Sequence, residues 1–175
     1  YAHSTGICSD CVAGKFSASK APMCISCERG EYSGPGATSC TSCAPGKYQG
    51  ATAASSCIDC DTGKYSASGA SQCTVCAIGM FQGSTGQSDC QACAEGKYSS
   101  GTGASECDDC DVNTYAVGSG NSICKSCASG SVAMEGQGSC YQCTAGTYAT
   151  SDISQISRSN PQSKDLCASC VAGKY

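Results

Sequence analysis

Residues 93–110 read CAEGKYSSGTGASECDDC, and variants of this phrase recur along a chain of 175 residues. Two C-x-x-C pairs bracket a stretch in which Gly96 stands three positions after Cys93 and Tyr98 stands five after it. Cysteines so placed can hold a metal, carry out redox chemistry, or staple a chain that has little core of its own. The choice among these three decides the fold.

Every cysteine belongs to a C-x-x-C: 8/11, 24/27, 40/43, 57/60, 73/76, 90/93, 107/110, 124/127, 140/143 and 167/170. Successive pairs are 16 or 17 residues apart, except for a last step of 27 that contains an inserted loop at 149–166. A fixed period of this kind marks a repeat architecture, in which each unit buries its faces against its neighbours. The chain therefore reads as one continuous array over 1–175, about ten repeats of 16–17 residues, incomplete at both ends.

Three positions after the second cysteine of each pair stands Gly, from Gly14 to Gly173, with Asn113 as the exception. Asn is the residue after Gly that best tolerates a left-handed backbone, so the position predicts a tight turn with positive φ. Two residues further on comes an aromatic: Phe16, Tyr32, Tyr48, Tyr65, Phe81, Tyr98, Tyr115, Tyr148 and Tyr175, with Val132 the departure. Tyr1 falls in the same register and Tyr141 alone among the aromatics lies elsewhere. Such concentration predicts a packing role, a repeated core anchor that supplies most of each unit's apolar area.

Composition supports a stapled chain. There is no Trp, the large aliphatics are scattered singly, and 20 of the 175 residues are Cys, a density that signals a disulfide or metal scaffold. Net charge is −4 with no block of either sign, which argues against a nucleic-acid footprint. No apolar run reaches the length of a membrane span. The Ser-, Thr- and Gly-rich remainder of each unit predicts turns and exposed loops. The fold class expected is small and disulfide-rich: short β-hairpin modules in tandem, stacked into an elongated rod, with little or no helix.

A redox C-x-x-C needs a helix terminus in an α/β domain, and nothing here resembles that setting. Zinc would join the pairs two by two into Cys₄ sites. Intervals inside and between sites should then diverge in length, whereas 16 and 17 occur in both alternating classes. Disulfides in an oxidising compartment are the reading that fits. A bridge within C-x-x-C would close a small strained ring, so each second cysteine is matched with the first of the next pair. This gives Cys11–Cys24, Cys27–Cys40, Cys43–Cys57, Cys60–Cys73, Cys76–Cys90, Cys93–Cys107, Cys110–Cys124, Cys127–Cys140 and Cys143–Cys167, with Cys8 and Cys170 left over. A nested scheme, Cys8–Cys27 around Cys11–Cys24 and so on, leaves none over, and sequence alone does not decide between them.

The phrase C-x-x-C-x-x-G-x-(Tyr/Phe), followed by a Ser/Gly-rich loop and the next C-x-x-C, resembles the cysteine-rich repeat named after ephrin receptors. That repeat is similar to the simplest module of tumour-necrosis-factor receptors. In those families the cysteine before G-x-Tyr bonds the next cysteine of the module. The resemblance thus implies the adjacent scheme, carried onto Cys93, Gly96, Tyr98 and Cys107 and their counterparts. It is specific for fold and weak for function, because such modules occur in receptors, adhesins and surface coats alike.

Other residues add little chemistry. His3 is the only histidine and offers no triad. Lys15, Lys47, Lys64, Lys97 and Lys174, between the Gly and the aromatic, read as solvated turn residues whose stems cover the ring. Asp108, Asp109 and Asp111 lack the alternating pattern of a calcium loop. The inserted loop reads as a tolerated surface excursion or a docking segment. The function expected is a non-enzymatic structural component of an extracellular filament, stalk or surface coat. The alternative is the ligand-binding or adhesive ectodomain of a receptor or surface antigen. No catalytic, metal or cofactor-binding residues are assigned. The partners expected are neighbouring repeats or copies of the same chain, with O-linked glycans on the exposed Ser/Thr loops.

Overall fold

The structure, a computed structural model, describes residues 9–19, 21–150 and 166–169. Among them the chain forms nine two-stranded antiparallel sheets, each a small hairpin, and no α-helix. The chain divides into two compact lobes, residues 1–75 with 84–89, and residues 76–83 with 90–175.

One module shows how sequence makes the hairpin. After Cys43 the chain turns through Ala44-Pro45-Gly46, and the Lys47 amide donates to the Ala44 carbonyl at 3.0 Å. Gly46 has φ of +83°, as the third position of a type II turn requires. The same amide-to-carbonyl bond closes all nine described turns, at 2.9–3.2 Å. Asn113, the substitute for Gly, has φ of +64°. The strand Lys47–Tyr48 then pairs with Ile58–Asp59, Lys47 opposite Asp59 and Tyr48 opposite Ile58. Between the strands lies the polar loop. The disulfide Cys43–Cys57 closes it, with 5.7 Å between the Cα atoms.

In the first lobe four such hairpins follow one another: Lys15–Phe16 with Ile25–Ser26, Glu31–Tyr32 with Thr41–Ser42, Lys47–Tyr48 with Ile58–Asp59, and Lys64–Tyr65 with Thr74–Val75. Each is tied to the next by backbone. The turn amides of Gly14, Gly30 and Gly46 donate to the carbonyls of Ser33, Gln49 and Ser66, each at 2.8 Å. In return, the loop amides of Gly36, Ala53, Gly69 and Gly86 donate to the carbonyls of Cys11, Cys27, Cys43 and Cys60 at 2.8–2.9 Å. Contact extends one module further. A Cβ on Gly14, Gly30 or Gly46 would overlap the carbonyl oxygen of Ala53, Gly69 or Gly86, two modules on.

The second lobe repeats the plan. Its hairpins are Met80–Phe81 with Gln91–Ala92, Lys97–Tyr98 with Asp108–Asp109, Thr114–Tyr115 with Lys125–Ser126, Ser131–Val132 with Tyr141–Gln142, and Thr147–Ala149 with Cys167–Ser169. Gly79, Gly96 and Asn113 donate to Ser99, Ala116 and Ala133 at 2.8–2.9 Å. Gly79 and Gly96 abut the carbonyls of Gly120 and Gly136 two modules away. The last hairpin has three-residue strands, and beyond them the Thr150 amide donates to the Leu166 carbonyl at 2.9 Å.

Candidate functional site

The candidate site is the module junction. Its buried centre is sulfur and backbone. The second cysteines Cys27, Cys43, Cys60, Cys76, Cys93 and Cys110 are at most 1% exposed, and Cys11 is 5% exposed. Also buried are the residues that follow the aromatics from Tyr32 to Tyr115 and the one that follows Val132: Ser33, Gln49, Ser66, Gln82, Ser99, Ala116 and Ala133. The Ser33 and Ser66 hydroxyls donate back to the Lys15 and Lys47 carbonyls of the preceding module, at 3.0 and 2.9 Å. The Gln49 amide nitrogen donates to the Ser56 carbonyl at 2.7 Å, and its oxygen accepts from the Ala51 amide. Among the described residues no buried side-chain nitrogen or oxygen lacks a partner, as a low-dielectric junction demands.

The structure holds the nine adjacent disulfides, from Cys11–Cys24 to Cys143–Cys167, with Cα separations of 5.6–5.8 Å. Eight of them close spans of 13 or 14 residues and the ninth closes 24. Cys8 and Cys170 lie outside the described residues, as do His3, Lys174, Tyr1, Tyr175 and most of the inserted segment. Among the described residues no three of His, Cys, Asp and Glu are grouped as metal ligands would be. No helix there is long and apolar enough to cross a membrane.

Two expectations are corrected. The rings are not the centre of the core: the aromatics from Phe16 to Tyr115 are part-buried, and Tyr148 is 54% exposed. A stack of cysteines and peptide planes leaves no room for a ring at its middle, so the rings flank it. Nor do Lys47 and Lys97 lie on the face of the ring in their own strands. Successive residues of a strand point to opposite faces, so Lys47 shares its face with Asp59 and Tyr48 shares the other with Ile58. Lys47 and Lys97 pair instead with Asp59 and Asp109 across their hairpins, at 2.5 and 2.7 Å. Both pairs are solvated and contribute little.

The cross-strand register also joins two departures that look unrelated in sequence. Val132, which replaces the ring, lies directly opposite Tyr141, the aromatic out of register. Each of the nine described hairpins thus carries one ring in this cross-strand pair, and in one hairpin the ring has changed strands. The sequence signal was present in the C-x-x-C interior, but only the pairing gives it meaning. The buried Ser, Gln or Ala after the aromatics from Tyr32 to Tyr115 had a signal too, a small or amide residue at one repeat position.

Compared with known families, residues 63–105 match the one described as tyrosine-protein kinase ephrin type A/B receptor-like. The match spans about a quarter of the chain, and the disulfide-bonded hairpin that characterises the matched segment recurs on both sides of it. A search of curated proteins finds no significant match. The described residues form a series of disulfide-bonded hairpin repeats, of which residues 63–105 are similar to the ephrin-receptor-like cysteine-rich domain.

Proposed function

We propose that this chain is part of a continuous, non-enzymatic extracellular array, a structural element of a filament, stalk or surface coat. The observation that carries the reading is the junction. Within each lobe, as far as the module of Ser131–Val132, consecutive modules are bonded through their backbones, and the turns at Gly14, Gly30, Gly46, Gly79 and Gly96 also pack against the module after next. That arrangement allows length to grow by adding modules, without any large core. Disulfides at every module suit an oxidising compartment, outside the cell.

The mechanism is mechanical. Under tension the covalent path runs across each bridge and then along three residues to the next, so most of the chain carries no load until a bridge is cut. A second reading, an ectodomain that binds a ligand, is favoured by the receptor-like description of the family matched at 63–105. Electron micrographs of native material separate the two. Long regular fibres support the structural role, while isolated monomers carrying a bound partner would replace it with the receptor.

A further inference from the structure

We propose that Cys127–Cys140 is a redox-sensitive bridge, open to thiol–disulfide exchange with a dithiol reductant under conditions that leave the bridges before it closed. The inference holds for a filament and for an ectodomain alike, and so goes beyond the reading above.

Exchange requires a thiolate to reach one sulfur of a bridge while the other departs as a thiolate. In the seven bridges from Cys11–Cys24 to Cys110–Cys124, the cysteine that opens the loop is at most 5% exposed. Attack is then confined to the outer cysteine, and the buried one has to leave as an anion where water is excluded. Such surroundings disfavour a thiolate, and it turns back to reclose the bridge. Cys127 and Cys140 are both part-exposed. Solvent reaches both residues of this bridge, so the departing thiolate is hydrated.

The difference has a source in the backbone. The Cys110 carbonyl accepts from the Gly136 amide at 2.8 Å, and the carbonyls of Cys11, Cys27, Cys43, Cys60, Cys76 and Cys93 accept in the same way from the loop of the following module, at 2.8–2.9 Å. That loop takes the cysteine out of water. Among the described residues no amide donates to the Cys127 carbonyl. The module that follows is the one whose loop is lengthened at 149–166, which breaks the spacing that sets a loop amide on the cysteine elsewhere. The hairpin itself is intact: the Cys127 amide donates to the Asn113 carbonyl at 2.9 Å, and Val132 and Ala133 are fully buried. The exposure is therefore local to the bridge.

Opening proceeds in two balanced steps. One sulfur of the dithiol, as thiolate, bonds to Cys140 as the Cys127–Cys140 bond breaks, and the electron pair of that bond leaves on Cys127, which takes up a proton. The second sulfur of the reductant then bonds to the first and expels Cys140, which is protonated in turn. The bridge gains two electrons and two protons, and the dithiol becomes a cyclic disulfide. The hairpin of Ser131–Val132 with Tyr141–Gln142 is then held by backbone pairing alone.

The test is site-resolved alkylation of the whole chain, native at neutral pH, during exposure to dithiothreitol. Thiols freed at each time are trapped with a maleimide, the remaining bridges are reduced in denaturant and alkylated with a heavier reagent, and each cysteine is read by mass spectrometry. Cys127 and Cys140 should be trapped together, at least about tenfold faster than Cys43 with Cys57, Cys60 with Cys73, Cys93 with Cys107 or Cys110 with Cys124. In concentrated guanidinium the spread should shrink to within about threefold, because burial no longer separates the bridges. Equal rates in the native chain, or any of those four bridges opening first, overturn the proposal. So does a native advantage that persists undiminished in guanidinium, since local sequence rather than burial would then be its cause. The variant C127S/C140S should lose the fast phase and keep the other eight bridges; a surviving fast phase overturns the assignment, and should this variant misfold, the site-resolved rates of the wild type decide alone.

Discussion

Cutting the disulfides one at a time under load reads the covalent path directly. A peptide step spans at most about 3.5 Å when extended. A bridge closing 13 residues replaces about 45 Å of contour by the 5.7–5.8 Å between its Cα atoms, so breaking it releases about 40 Å. Bridges closing 14 residues release about 43 Å, and Cys143–Cys167, closing 24, releases about 78 Å. In a force clamp with a small thiol in the buffer, the chain held by its ends should lengthen in eight steps near 40 Å and one near twice that. Without thiol those steps should vanish. Other cross-link patterns leave different records. Bridges inside each C-x-x-C would release only about 5 Å apiece, and nested pairs would alternate steps of about 20 and about 40 Å. Either record refutes the load path argued above, and lengthening on addition of a chelator alone would refute the disulfides.

Substitutions probe the junction and the cross-strand ring pair. Gly46→Ala forces a side chain into left-handed backbone and onto the Gly86 carbonyl, and should cost about 2–4 kcal/mol in urea unfolding. Gly101→Ala, with nothing within 4 Å, should stay within about 0.5 kcal/mol; equal losses would remove the role of the second neighbour. Ala53 has φ of +56° at a loop position where other modules have Gly, so Ala53→Gly should raise stability by up to about 1 kcal/mol. A lower urea midpoint would contradict the strain. Val132→Tyr should overpack a fully buried site by about 1–3 kcal/mol, and Tyr141→Thr should relieve part of that loss, with a coupling of at least about 0.5 kcal/mol. Strict additivity would mean that the two residues do not share one ring position. Finally, O-linked sugar on the exposed Ser/Thr loops should appear as extra mass on peptides of native material, and peptides of unmodified mass throughout would exclude it.

The repeat, the positive-φ turn and the hairpin were legible in the sequence because each is decided within one period. Gly96, Tyr98 and the spacing from Cys93 to Cys107 are local facts, and Asn113 marked the turn by being the one tolerable exception. Local spacing also narrowed the cross-links without choosing between adjacent and nested bridges. The tertiary structure decided what lies beyond one period. The turn glycines are needed not only for φ but because a carbonyl about 40 residues away fills the space of a side chain. Val132 and Tyr141 became one pair only once their strands were in register, and Gly79 met the Gly120 carbonyl only through the second-neighbour contact. The physical reason is rotation: the period of a repeat gives its length along the chain, while the angle between consecutive modules, which selects the residues that meet, arises from many backbone contacts acting together.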